Sequence, residues 1–243
     1  MGKLANEYLE AAIGLLRRIQ TEETDRIEAA AGAVAAAVAA GNRVFAFGCS
    51  HSSLAVQDLV YRAGGLMLVN PVWVPGLAGV TTRPATLTSA VEKLPGLAAT
   101  VLDHTPVEAG DVLVVVSVSG RNAVPVEMAA EGRRRGLLVV GVTSATYADL
   151  PDARLADQCE HVLDCKVAKG DAELRLSGVD QRFCSASTIA NSAVLQALMA
   201  AVIERLVELG VAPPIFRSGN LPGGLAENER LLAEHRDRIF YLD

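Results

Sequence analysis

The sequence predicts an α/β fold in which the strands of one parallel sheet alternate with helices. Short apolar runs recur along the chain, and stretches with helical spacing of apolar residues separate them. Two of these runs, residues 44–47 and 112–116, lead directly into loops rich in serine and glycine. Because strands that alternate with helices are joined by right-handed crossovers, we expect one parallel sheet with helices packed on its faces.

Length and composition fit a single well-buried domain. The 243 residues are 51% hydrophobic and 21% charged, which excludes a disordered chain. The net charge of −6 comes without an extended basic run, so nucleic-acid and membrane partners are not expected. The four cysteines form no close pair, and the N-terminus lacks the apolar core of a signal peptide. These features predict a cytoplasmic protein.

The elements follow from periodicity and from glycine and proline positions. Residues 4–40 have helical spacing, with a second helix start expected at Thr21. The five expected strands are 44–47, 66–69, 111–116, 137–142 and 162–165. The expected helices are 52–63, 123–135, 187–209 and 226–238, with short helical turns in 88–100. Residues 171–180 are expected to be irregular.

No internal repeat and no long linker divides the chain, so the prediction is one domain over residues 1–243. Within it, residues 1–40 form the N-terminal helices and residues 41–210 form the α/β core. Residues 211–243 form a C-terminal tail and helix, in which 220–224 is either a lid over a site or a surface turn.

The two serine-rich loops have the chemistry of an anion-binding site. The first loop is Gly48-Cys49-Ser50-His51-Ser52-Ser53, and the second is Ser117-Val118-Ser119-Gly120-Arg121-Asn122. Hydroxyl groups and free N–H groups at a strand-to-helix turn donate hydrogen bonds to an anion, and the helix dipole adds favourable potential. Carboxyl ends of parallel strands share one edge of the sheet, where ligands bind. The sequence therefore predicts a phosphorylated small molecule as the ligand.

Five short segments also occur in the order found in one known family. They are Gly48-Cys49-Ser50-His51-Ser52, Ser117-Val118-Ser119-Gly120-Arg121-Asn122, Val139-Val140-Gly141-Val142-Thr143-Ser144, Leu155-Ala156-Asp157 and Ser187-Thr188. Over residues 40–205 the chain resembles the sugar isomerase (SIS) domain family of phosphosugar-binding proteins. The resemblance implies a flavodoxin-like sheet of five parallel strands and a homodimer with N-terminal helices across the interface. It also implies chemistry that needs no cofactor.

The resemblance assigns binding roles to both loops and to one helix start. The second loop would wrap the sugar phosphate, and the first would reach the sugar hydroxyls or the phosphate. The implied binding residues are Ser50, Ser52, Ser53, Ser117, Ser119, Gly120, Arg121, Asn122, Ser187 and Thr188. Arg121 either pairs with the phosphate or is solvated, and Ser187 is also expected to cap its helix.

Two residues are candidates for acid–base chemistry. Glu92 lies between the second and third strands, where etherase-like members of the family place a carboxylate, although a solvated surface position is the alternative. His51, inside the first loop, would act as acid or base or contact a hydroxyl. Cys49 is expected to pack beneath that loop. The four histidines are dispersed without metal-ligand spacing, so no metal is expected.

The reaction class follows from two further comparisons with the family. The tail 213–220 resembles a subgroup that includes an actinobacterial enzyme dehydrating N-acetylglucosamine 6-phosphate. Phosphoheptose isomerases carry a His and a Glu after the first loop, where this chain has Asp58 and Arg62. We therefore expect a lyase that removes the C2 proton and expels the C3 hydroxyl. The alternatives are an aldose–ketose isomerase and a non-catalytic phosphosugar sensor, and the acidic N-terminal helices argue against the sensor.

Overall fold

A parallel sheet of five strands forms the centre of the computed structural model, which describes residues 2–151 and 154–242. The strands are β1 (Val44–Gly48), β2 (Val69–Pro71), β3 (Val112–Val116), β4 (Leu138–Thr143) and β5 (His161–Asp164). Their order across the sheet is β2-β1-β3-β4-β5, and every neighbouring pair is parallel. The predicted flavodoxin-like α/β class is confirmed.

Helices cover both faces of this sheet. They are α1 (Lys3–Ala39), α2 (Ser52–Gln57), α3 (Thr86–Val91), α4 (Leu97–Asp103), α5 (Ala123–Arg134), α6 (Ser187–Glu208) and α7 (Gly224–Glu234). On one face, α1, α2 and α6 bury an apolar cluster with strand residues such as Val114. On the other face, α4 and α5 bury a second cluster around Phe47 and Leu113. Strands β1 and β3 are apolar throughout because both faces of each strand are buried.

Helix α1 runs unbroken for 37 residues, so the expected second start at Thr21 is wrong. The Thr21 hydroxyl donates to the carbonyl oxygens of Arg17 and Arg18, at 3.0 and 3.3 Å. The Thr24 hydroxyl donates in the same way to Gln20, at 2.5 Å. Threonine hydroxyls that bond back to the preceding turn remain compatible with a continuous helix.

Further elements differ from the prediction. Helix α2 ends at Gln57 and helix α7 at Glu234, before the expected ends at residues 63 and 238. Strand β2 begins three residues later than expected, because Leu66 and Met67 pair with Ile215 and Pro214 of the tail. Within residues 171–180, expected to be irregular, the chain forms most of an antiparallel hairpin. Its strands are β6 (Leu174–Leu176) and β7 (Val179–Phe183).

The C-terminal tail is anchored at the amino ends of the strands. The N–H of Gly64 donates to the Phe216 carbonyl shortly before β2, and a guanidinium N–H of Arg238 donates to the Val38 carbonyl in the last turn of α1. The side chain of Asn70 donates to the Arg238 carbonyl at 2.9 Å. These contacts hold both ends of the segment that contains residues 220–224 at the edge opposite the serine-rich loops. This anchoring favours the surface turn over the lid.

Helix α6 is long and apolar enough to cross a membrane, by length and composition alone. Half of its most apolar stretch is buried inside the protein, and the helix packs along α1 and α2. That placement is typical of the core helix of a soluble protein.

Candidate functional site

The two serine-rich loops leave the same edge of the sheet side by side. Strands β1 and β3 are parallel neighbours, with Gly48 opposite Val116 at their carboxyl ends. The strand order reverses between these two strands, since β2 lies on one side of β1 and β4 lies beyond β3. Ligands of open α/β sheets bind in the crevice at such a reversal. The predicted placement of both loops at one edge is confirmed.

Backbone geometry turns the first loop sharply at the end of β1. A Cβ atom on Gly48 would lie 2.8 Å from the backbone carbonyl group of Ser52, so glycine lets α2 begin at once. Ser50 adopts the left-handed region with φ of 51°, and its N–H donates to the Leu77 carbonyl at 2.8 Å. This conformation is uncommon for a residue other than glycine and occurs often at functional sites.

Glu92, just after α3, bridges the two loops. Its Oε2 atom accepts a hydrogen bond from the Ser50 hydroxyl at 3.1 Å. Its Oε1 atom accepts one from the side-chain amide of Asn122 at 3.0 Å. The structure thus brings together three residues that lie 30 and 42 positions apart in the sequence, one from each loop and the carboxylate between them.

The surroundings of Glu92 make its carboxyl group easier to protonate than usual. Burial raises the pKa of Glu92, while the hydrogen bond from Ser50 and the charge of Lys93 pull the same pKa down. Burial also raises the pKa of the Cys49 thiol beneath the loop, and the charge of Glu92 adds to that effect. Cys49 is buried and remains a protonated thiol, which fits packing rather than nucleophilic attack.

The N-terminus of α5 is bonded to the same glutamate. Asn122 is the N-cap residue of α5, yet its side chain makes no capping hydrogen bond and donates to the Glu92 carboxylate instead. The N–H of Val124, in the first turn, donates to the backbone carbonyl of Glu92 at 3.0 Å. Pro125 also lies in that first turn, as predicted, where its missing N–H costs nothing.

The rest of the second loop faces the ends of β4 and β5. The Ser117 hydroxyl accepts from the N–H of Gly120 at 3.2 Å and closes the loop on itself. Ser119 and Gly120 line a cavity of about 170 Å³ together with Thr143. Gly120 has φ of +60°, and a Cβ atom there would lie 2.6 Å from the Thr143 hydroxyl. Within this loop, Asn122 contacts Glu92 and Ser119 lines the cavity.

The remaining residues of the two loops differ in their burial and in their hydrogen-bond partners. Ser53 is fully buried, and its hydroxyl donates to the Ser50 carbonyl and accepts from the N–H of Gly79, so it holds the loop together. The Arg121 guanidinium donates to the carbonyl of Pro151. His51 is exposed directly before α2, and Ser52 is half-buried as its first residue.

The start of α6 is capped by a residue that sequence reasoning missed. Ser187 is the first residue of this helix rather than its cap. One carboxylate oxygen of Asp171 accepts from the N–H groups of Ala186 and Ser187, at 3.2 and 3.0 Å, and the other accepts from the Ser187 hydroxyl at 2.6 Å. The expected cap by Ser187 is wrong because this carboxylate, 16 residues earlier, takes that role. Thr188 follows and is half-buried.

The positions aligned with the heptose isomerase pair are engaged with each other. Asp58 accepts a hydrogen bond from the Arg62 guanidinium one turn later and another from the side-chain amide of Gln196 on α6, at 2.9 Å. Across residues 2–151 and 154–242, no group of three or more His, Cys, Asp or Glu side chains is arranged to hold a metal ion.

A flavodoxin-like sheet with two serine-rich loops at its strand-order reversal defines an α/β protein of the phosphosugar-binding class. The sequence pattern of the SIS domain matches residues 7–144, more than half of the chain. The chain therefore belongs to the SIS domain family.

Two relatives are similar to this chain over nearly their whole length. The chain is 55% identical to a UPF0309 protein of Streptomyces griseus subsp. griseus over 98% of each chain. It is 35% identical to UPF0309 protein ABC0887 of Shouchella clausii, over 97% of this chain and 98% of the relative.

Two solved structures share the fold. Phosphoheptose isomerase GmhA from Neisseria gonorrhoeae aligns with a TM-score of 0.56 and 16% identity, over 83% of this chain and 97% of that one. The sugar isomerase domain of an RpiR transcription factor from Sphaerobacter thermophilus aligns with a TM-score of 0.51 and 17% identity, over 98% of this chain and all of that one.

Proposed function

We propose that the protein is a lyase that dehydrates N-acetylglucosamine 6-phosphate. The observation that carries the proposal is the position of Glu92, a carboxylate of raised pKa between the two anion-binding loops. A carboxylate with a raised pKa at the ligand edge of an α/β sheet suits a general base. The resemblance of the tail to a dehydratase subgroup supports the same substrate and reaction.

The proposed reaction is an elimination from the open-chain sugar. Glu92 takes the C2 proton, which is acidic because the C1 aldehyde lies next to it. The electron pair of the broken C–H bond forms a double bond between C2 and C3, and the C3–O bond breaks. His51, exposed in the first loop, donates the proton with which the C3 hydroxyl leaves as water. The phosphate is held by the second loop through Ser117, Ser119, Gly120 and Asn122.

Isomerisation is the second candidate, because it shares the removal of the C2 proton. On a sugar phosphate with a hydroxyl at C2, returning that proton to C1 while the O2 proton moves to O1 would give a ketose. The phosphoheptose isomerase from Neisseria gonorrhoeae has the same fold. Asp58 and Arg62 stand where phosphoheptose isomerases carry a His and a Glu, and Asp58 is hydrogen-bonded to Arg62 and Gln196. Heptose isomerase chemistry is therefore the less favoured of the two.

A non-catalytic sensor is the third candidate, since a transcription factor also contains this fold. Ligand binding alone would then be the whole function, and Glu92 would only contact the sugar. Turnover separates this candidate from the other two.

The expected homodimer is also part of the proposal. The groove between α1 and α6 has a volume of about 700 Å³ and is lined largely by apolar residues such as Ile13 and Leu16. Ile13 lines this groove and is 42% exposed. Sedimentation equilibrium tests the dimer, and a monomer at micromolar concentration would contradict it. We also propose a cytoplasmic location.

Proton NMR of the purified protein with N-acetylglucosamine 6-phosphate in D₂O tests the reaction. New vinylic signals with loss of the C3 hydroxyl support the lyase. An isomerase would give no vinylic signals with this substrate, but it would convert a 2-hydroxy aldose phosphate in D₂O into a ketose deuterated at C1. Unchanged spectra of both sugars, with a fully folded protein that binds them, contradict both enzymatic candidates.

A further inference from the structure

Glu92 occupies hydrogen-bond donors of the kind that an anionic ligand uses. The Ser50 hydroxyl and the Asn122 amide each donate to one carboxylate oxygen, at 3.1 and 3.0 Å. The third donor is the Val124 N–H at the start of α5, which bonds to the Glu92 carbonyl at 3.0 Å. One residue thus supplies three oxygen atoms to both loops and to the end of a 12-residue helix.

The helix end is the informative part of this arrangement. Asn122 is in the N-cap position, where an asparagine side chain usually accepts from an N–H of the first turn. Here that side chain donates to Glu92, and the Val124 N–H bonds to the Glu92 carbonyl. Helix N-termini preceded by hydroxyl-rich loops receive phosphate groups in many proteins. The carboxylate is therefore bound by groups suited to an external anion.

We propose that Glu92 is an internal substitute for the anionic group of the ligand, and that ligand entry displaces its carboxylate from Ser50 and Asn122. The proposal deepens the proposed function, on which its substrate class rests. Phosphate oxygens take over the two donors, and the carboxylate is released toward the sugar. The base becomes free only when phosphate takes over the two donors that otherwise bind the Glu92 carboxylate.

The test is the affinity for inorganic phosphate, measured by calorimetry at fixed pH and ionic strength. Glu92→Ala removes the competing carboxylate and should tighten phosphate binding by about tenfold. The reason is that Ser50 and Asn122 then no longer donate to a charged acceptor within the protein. Glu92→Gln should tighten it as well, because the neutral amide is a weaker competitor. Glu229→Gln, an exposed change of the same charge on α7, should leave the affinity as in the unchanged protein.

A second set of variants separates displacement from simple positioning of the base. If phosphate takes over the Ser50 hydroxyl, Ser50→Ala should weaken phosphate binding by about tenfold when introduced into Glu92→Ala. If Ser50 only orients Glu92, the same addition should have no effect. Equal or weaker phosphate binding by a folded Glu92→Ala protein, checked by its melting curve, would overturn the proposal.

Phosphate is not turned over, so this result is independent of the reaction. Tighter binding by the Glu92 variants together with no vinylic product would uphold the displacement and reject the lyase. Unchanged binding together with a vinylic product would uphold the lyase and reject the displacement.

Discussion

Two carboxylates at opposite edges of the sheet, Asp111 and Glu92, are held in different ways. Asp111 lies at the amino end of β3 and is 1% exposed. It accepts from the backbone N–H groups of Arg43 and Glu108, both at 2.8 Å, and pairs with the Arg43 guanidinium at 2.9 Å. Glu92 lies at the carboxyl edge and accepts from two neutral side chains, Ser50 and Asn122.

The two carboxylates differ in how their negative charge is compensated. The positive charge of Arg43 compensates the buried Asp111, so that edge fixes the start of β1 relative to β3. At the other edge neutral donors compensate Glu92 only in part, and burial raises the pKa of its carboxyl group. The first arrangement compensates a buried charge, whereas the second leaves the charge of Glu92 only partly compensated, which suits the general base that we propose.

The largest effect is expected from removing the proton acceptor. Glu92→Gln keeps the shape of the side chain and one of its two acceptor oxygens, but an amide does not take the C2 proton. We expect kcat for the lyase reaction to fall by about a thousandfold, within the usual contribution of a general base. Vinylic product measured by NMR over time gives the rate. Glu229→Gln is the matched control, and a Glu92→Gln protein with normal turnover would contradict the assignment of the base.

Asp111→Asn should act on stability rather than chemistry. The variant leaves the Arg43 guanidinium beside a neutral amide, and we expect the free energy of unfolding to fall by about 3 kcal/mol. Urea unfolding measures this change. Asp103→Asn is the control, because Asp103 pairs with Arg135 through a side chain that is 64% exposed and should cost less than about 1 kcal/mol. Turnover per folded molecule should be unchanged in both variants, and its loss in Asp111→Asn would break the distinction between the two edges.

Ser119→Ala should weaken ligand binding at the carboxyl edge without affecting the amino edge. The hydroxyl is half-buried in the second loop, where a phosphate would accept its hydrogen bond. We expect the affinity for N-acetylglucosamine 6-phosphate to fall by about tenfold, as for loss of one hydrogen bond to a charged group. Calorimetry with the Glu92→Gln protein as background avoids turnover. Ser177→Ala, exposed in the β6–β7 hairpin, should bind as its parent does, and an equal affinity in Ser119→Ala would remove Ser119 from the site.

The sequence predicts the sheet and its loops because both depend on local pattern. Each buried parallel strand is a continuous apolar run, and the Gly48 and Gly120 loops follow two of them directly. The link between Glu92 and Asn122 has no such pattern, since it depends on how α4 packs against α5. The same holds for Asp171, whose carboxylate caps α6 from a distant loop. Contacts between residues far apart in the chain have no periodic signal in a single sequence.

The smallest expected effect is the pH dependence of stability at Glu92. Because burial raises the pKa of this carboxyl group, the folded protein keeps a proton that the unfolded chain has already released in the interval between the two pKa values. The free energy of unfolding therefore decreases as pH rises through that interval, and the cost is fully present above it. Glu92→Gln has no proton to lose at this position. It should melt about 2 °C above the unchanged protein at pH 7, a gap worth less than about 1 kcal/mol, and the gap should close toward pH 4.

Asp111→Asn should shift the melting temperature at pH 7 in the opposite direction from Glu92→Gln. Replacing a charge-compensated carboxylate lowers the melting temperature at pH 7, whereas replacing Glu92 raises it, although both substitutions exchange a carboxyl group for an amide. A site that binds a ligand anion keeps a locally unfavourable charge when it is empty, and that cost disappears when the carboxylate is neutral. If Glu92→Gln melted below the unchanged protein at pH 7, Glu92 would be a structural carboxylate like Asp111, and the proposed division of the two edges would fail.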